Sequence, residues 1–144
     1  MIIDDVINDN DIKVIMKTLV EKYPQLLNSN NHIETDDDSL SFITMIPKML
    51  IENLGRPLCL ILLSTVDSQS DYAGKDWHID GDEDETSVIL YLNGDNACGG
   101  EFLTKDNIYS FKPGSMIVIP SNALHKVQPY NSTNARIAVK WKFK

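Results

Sequence analysis

Hydrophobic spacing divides the chain into two regimes. Up to about residue 55, apolar side chains recur at helical intervals; beyond it they alternate with polar ones or run together in short blocks. In the first regime Val14, Ile15, Leu19 and Val20 share one helical face, which predicts a helix capped by Asp11 and ended before Pro24. Residues 28–38 are polar, with three consecutive aspartates, and read as a loop. A second helix is predicted from Ser41 through Phe42, Ile46, Met49 and Leu50 to Asn53, with Gly55 suited to its stop. Pro47 falls in its second turn and removes one backbone donor there.

From Arg56 onward the pattern predicts strands at 58–66, 77–80, 86–93, 101–104, 108–111, 115–120, 125–128 and 136–143. Turn formers separate them, among them Asn93-Gly94-Asp95, Gly99-Gly100 and Lys112-Pro113-Gly114. The expected fold is mainly β with N-terminal helices, a sandwich or barrel of the jelly-roll kind with about eight strands. No repeat or linker interrupts the chain. The expectation is therefore a single domain over 1–144, in which a helical segment at 1–55 supports a β core at 56–144.

Composition narrows the function classes. The chain has 144 residues, 42% hydrophobic and 24% charged, enough for one sizeable core. Its net charge of −8 argues against nucleic acid and anionic membranes, which call for basic patches. The start, Met1-Ile2-Ile3-Asp4-Asp5, lacks the basic and apolar regions of a secretory signal. The longest apolar run, Leu58-Cys59-Leu60-Ile61-Leu62-Leu63, falls far short of the ~20 residues of a membrane span. A cytoplasmic protein is expected, with Cys59 and Cys98, outside any C-x-x-C pair, as reduced thiols.

His78 and Asp80 stand two apart on a predicted strand, so both side chains point to one face. An isolated H-x-D tripeptide arises often by chance and then reads as two surface residues. His125 changes that reading. It opens a later strand, and a jelly roll winds back beside the strand it started from. Two imidazoles and a carboxylate suit Fe(II) and leave three octahedral positions open for a cosubstrate and dioxygen. Arg136, eleven residues beyond His125, begins the last strand. There it shares a face with Ala138, Lys140 and Lys142, opposite Ile137, Val139, Trp141 and Phe143. A guanidinium facing the barrel interior could grip a dicarboxylate in a bidentate fork. The competing reading is an exposed, alternating edge strand. The acidic run Asp80, Asp82, Glu83, Asp84 and Glu85 is not an EF-hand loop, because Glu85 and Tyr91 occupy the positions that need glycine and glutamate. It reads as a solvated loop beside the site. The polar segment 67–76 reads either as a mobile loop over the site or as a plain hairpin loop.

His78-x-Asp80, Leu90-Tyr91-Leu92-Asn93, Gly99-Gly100-Glu101 and Pro113-Gly114-Ser115 would be weak signals singly. In this order, followed by His125 and Arg136, they resemble the 2-oxoglutarate and Fe(II)-dependent dioxygenases, prolyl 4-hydroxylase-like branch, over about residues 58–143. The resemblance implies a double-stranded β-helix catalytic core with His78, Asp80 and His125 as iron ligands. It implies that Arg136 binds the distal carboxylate of 2-oxoglutarate and that Tyr91 lines the pocket. Gly99-Gly100-Glu101 resembles the family's structural turn, with no catalytic part. The implied cofactors are Fe(II), 2-oxoglutarate and dioxygen, with ascorbate as an accessory. Asp80 favours hydroxylation over halogenation, since related halogenases lack that carboxylate. One departure stands out. Alignment on Trp141 would put the basic position at Ala135, one residue from Arg136, with Lys140 as a fallback anchor. The leading functional class is a hydroxylase of prolyl or other side chains in a protein or peptide. A small-molecule oxygenase and a non-catalytic jelly-roll binding module are the alternatives. No motif speaks to oligomeric state.

Overall fold

The computed structural model describes residues 1–28, 30–66 and 74–144, which form two α-helices, nine strands and short 3-10 turns. Helix α1 spans Asp9–Lys22. Its cap is Asn8, whose side chain accepts from the Asp11 amide at 2.9 Å, so the helix begins before the expected cap. Asp11 instead lies in the first turn, where its charge suits the helix dipole. Helix α2 spans Ser41–Leu50 and encloses Pro47. It stops short of Asn53, which takes a left-handed φ of 61° that a helix cannot continue through. No helix among the described residues is long and apolar enough to cross a membrane.

The strands are β1 (Ile2–Ile3), β2 (Asn31–Thr35), β3 (Pro57–Thr65), β4 (Thr86–Asn93), β5 (Phe102–Thr104), β6 (Ile108–Tyr109), β7 (Met116–Pro120), β8 (His125–Val127) and β9 (Arg136–Phe143). They make a six-stranded sheet, β1-β7-β4-β9-β3-β2, and a three-stranded sheet, β6-β5-β8. From β3 onward the chain passes back and forth between the two sheets, which is the winding of a jelly roll.

Alternation along the central strands builds two cores. Leu60, Leu62, Val88, Leu90, Val139, Trp141 and Phe143 face the helices and meet Ile15, Leu19, Leu40 and Ile43. Trp141 completes that contact by donating its indole N–H to Thr44 Oγ1 at 3.0 Å. On the opposite face Ile89, Tyr91, Ile117, Ile119 and Ala138 meet Phe102, Phe111 and Tyr130 across the space between the sheets.

Two expectations are corrected. Strand β2 lies inside the stretch read as a loop; it exists because β3 pairs with it from Asn31↔Ser64 to Thr35↔Leu60, a long-range contact that overrides a polar local sequence. Segment 77–80 is not a strand. It contributes one bridge, His78↔His125, after which the Asp80 and Gly81 amides both turn to the Ser121 carbonyl, at 2.8 and 3.0 Å.

Candidate metal and dicarboxylate site

The single bridge preserves the alternation that matters. Trp77 and Ile79 are exposed, whereas His78 and Asp80 turn inward. The paired amides of His78 and His125, at 2.9 and 3.0 Å, lock the two histidines side by side, with ring centroids 4.3 Å apart. His125 is fully buried and stacks on Phe102 at 4.9 Å. One ligand atom each from His78, Asp80 and His125 lies within 4.8 Å of the other two. His125 Nε2 is 3.0 Å from Asp80 Oδ2, and His78 Nε2 is 3.5 Å from Asp80 Oδ1.

The hydrogen bonds behind the rings decide what these atoms can do. His78 Nδ1 lies 2.6 Å from the Asp76 carbonyl and His125 Nδ1 lies 2.7 Å from the Ala123 carbonyl. A carbonyl only accepts, so both Nδ1 atoms donate, and a neutral ring then presents a bare Nε2 lone pair. Both Nε2 atoms converge on the Asp80 carboxylate, an arrangement that a divalent cation among them would satisfy. Two Nε2 atoms and a carboxylate oxygen, each oriented by an outer hydrogen bond, fit a divalent metal of the Fe(II) type.

Burial raises the pKa of the Asp80 carboxyl, but His125, with Nε2 at 3.0 Å, and the charge and hydrogen bond of Lys140 more than offset it. The group is held well below the usual carboxylate range. Lys140, the fallback anchor, is therefore found at the triad, with Nζ 2.6 Å from Asp80 Oδ2.

Arg136 occupies the other end of the interior. Strand β9 is central, between β4 and β3, so the edge-strand reading does not hold. Arg136 is buried, and its guanidinium is ringed by Tyr91, Phe111 and Tyr130, with carbon-to-centroid distances of 5.8, 5.1 and 5.5 Å. Burial pushes the Tyr91 hydroxyl pKa up, and the Arg136 charge partly offsets this. Ala135 and Trp141 both face the helices, while Arg136, Ala138 and Lys140 face the space between the sheets. Trp141 is a core residue.

Leu63, Ile89, Phe102 and Val127 line both the cavity at the triad and the cavity at Arg136, so the two adjoin across shared apolar walls. One end offers metal ligands and the other a guanidinium, which is the layout for a chelating molecule with a distal carboxylate.

Gly100 does more than turn the chain. Its carbonyl accepts from Arg136 Nη1 at 2.6 Å, and its φ is 82°. A Cβ there would stand 2.8 Å from that same nitrogen. Gly100→Ala is therefore expected to lower stability by about 1–3 kcal/mol in denaturant melts, since it combines left-handed strain with displacement of a buried cation.

Sequence reasoning missed part of the lining. His32 on β2 borders the triad cavity, and Asn31, Ser64 and Thr65 border the Arg136 cavity. Nothing local marks them; they arrive through the β2–β3 pairing. Of the expected loop at 67–76, residues 67–73 lie outside the described residues, and Gly74 borders the triad cavity. In the acidic run Asp82, Glu83 and Asp84 are exposed, while Asp80 lies at the triad and Glu85 turns inward to Lys142 at 3.6 Å.

No family model matches the sequence, and no curated protein does. Solved structures do. The viral collagen prolyl hydroxylase of Paramecium bursaria Chlorella virus-1, in its 2OG complex, matches with a TM-score of 0.66 at 12% identity over 99% of this chain and 94% of that one. A prolyl hydroxylase from Trichoplax adhaerens, in complex with a hypoxia inducible factor oxygen degradation domain peptide fragment, gives 0.71 at 16% identity, covering 99% and 82%. NgTET1 in complex with 5mC DNA gives 0.72 at 13%, covering 99% and 70%. At these identities the likeness establishes the fold.

Proposed function

We propose that this chain is an Fe(II)- and 2-oxoglutarate-dependent dioxygenase that hydroxylates an amino-acid side chain, prolyl above all, in a protein or peptide. The observation that carries the reading is the convergence of His78 Nε2, His125 Nε2 and the Asp80 carboxylate within 4.8 Å, in a cavity that adjoins the buried Arg136.

His78, Asp80 and His125 would hold the metal through three positions and leave the others open. The Nδ1 bonds to Asp76 and Ala123 keep both rings in the tautomer that ligates. Arg136 and Tyr91 would take the distal carboxylate of 2-oxoglutarate. The walls Leu63, Ile89, Phe102 and Val127 line the space between with apolar surface. Iron held there would supply oxygen activation coupled to the conversion of 2-oxoglutarate to succinate and carbon dioxide. Support for a peptide substrate comes from two of the neighbours, both prolyl hydroxylases by name, one of them holding a peptide. The net charge of −8 disfavours a polyanion such as the DNA on the third.

The test is an anaerobic titration with Fe(II) and 2-oxoglutarate, followed by its weak visible charge-transfer absorption. The band is expected to grow to one equivalent of each. Folded protein that develops no band would remove the proposal.

A further inference from the structure

Asp80 sits on a segment without a strand ladder, and two lysines of β9 do much of the work of holding it. Lys140 Nζ meets Oδ2 at 2.6 Å, and Lys142 Nζ reaches the Asp80 carbonyl at 3.2 Å and Glu85 Oε2 at 3.6 Å. The Asp80 and Lys140 side chains are 14% and 12% exposed, so solvent screens the pair weakly. Oδ2 is also the oxygen that faces His125 Nε2 at 3.0 Å, so the ammonium holds the edge of the carboxylate that belongs to the triad. Among the described residues, His78, His125, Lys140 and Lys142 are charged or titratable groups that face Asp80.

We propose that Lys140 is a resident counter-ion that competes with the metal for Asp80, holding the carboxylate in place in the metal-free protein and lowering the site's affinity for a divalent cation. This rests on the triad being the metal site. A cation among the three ligands must share Asp80 with a positive charge already in hydrogen-bond contact, and like charges repel strongly where water is scarce. The shared carboxylate donates less to the metal. In the metal-free protein the same ammonium neutralises a half-buried anion and keeps the ligand preorganised. Lys140 is therefore a positioning residue whose two effects oppose each other. Removing its charge should weaken the metal-free protein and strengthen metal binding.

Lys140→Met and, as a second neutral variant, Lys140→Gln would be compared with wild type and Lys140→Arg. Mn(II) affinity would be read by calorimetry, and thermal midpoints with and without Mn(II) by circular dichroism. The expected result is a lower metal-free midpoint, Mn(II) bound at least tenfold more tightly, and a larger metal-induced rise in midpoint. Lys140→Arg should behave like wild type. Equal or weaker Mn(II) affinity in both neutral variants, with the two midpoints falling together, would assign Lys140 a merely structural part and overturn the proposal. If neither wild type nor the neutral variants bind Mn(II), the metal-site reading itself fails. If wild type binds and His78→Ala does not, that reading stands whatever Lys140 does.

Discussion

Succinate release is expected to vanish when Asp80 becomes alanine, while the fold survives. Asp80 is the one carboxylate of the triad, so its loss leaves two neutral imidazoles to hold a dication. Altering partners one shell further out typically costs 10–100-fold, so loss of a ligand itself should cost at least about a hundredfold in Fe(II) affinity. The structural cost is smaller. Lys140 would lose its partner, but it keeps 12% of its side-chain surface and can turn toward water, so we expect about 1–2 kcal/mol rather than the 3–5 of a fully buried pair. His78→Ala should behave alike, since His78 is the more exposed of the two histidines. His125 is less suited to the experiment: it is fully buried against Phe102, and truncation would open a cavity. Succinate formation, Mn(II) binding and the far-ultraviolet circular dichroism of Asp80→Ala check the expectation together. A folded Asp80→Ala protein with wild-type turnover would show that the triad is not the metal site.

Asp80 was legible because parity along an extended segment survives even where the ladder does not. Trp77-His78-Ile79-Asp80 alternates as a half-buried strand should, and the side chains do alternate. What the sequence does not encode is that the Asp80 amide leaves its neighbour for Ser121, a choice made by the loop that precedes β8. Strand β9 was legible on both faces, because Ile137, Val139, Trp141 and Phe143 alternate without a break. Strand β2 was not. Ile33 is its one large apolar residue, and its stability comes from partners some thirty residues away. His32, Asn31 and Ser64 were missed with it, since a cavity lining assembled by long-range pairing leaves no local period. The part Gly100 plays was hidden for the same reason: its carbonyl meets a guanidinium 36 positions downstream. Trp141 is held by Thr44 of α2, on the face away from the site.

Arg136→Leu is expected to raise the 2-oxoglutarate requirement by about a hundredfold or more, with iron binding unchanged. A carboxylate bound inside a buried apolar slot needs a charged donor, and hydrogen bonds to charged groups contribute about 1.5–3 kcal/mol each, with two in a bidentate fork. Leucine also leaves only uncharged polar groups among the described lining residues, Tyr91, Asn31, Ser64 and Thr65. Lysine at the same position should recover little, because Phe111 and Tyr130 flank a flat guanidinium, and Gly100 accepts from a nitrogen placed where an ammonium does not reach at the same geometry. The discriminating comparison is with Lys140. That residue meets Asp80, not the aromatic cage, so Lys140→Met should change metal retention and leave the KM for 2-oxoglutarate within a few-fold once Fe(II) is saturating. The pair of variants separates the two ends of the cavity. If the KM rises steeply in Lys140→Met and stays flat in Arg136→Leu, the distal carboxylate lies at the lysine, and the assignment of the slot is reversed.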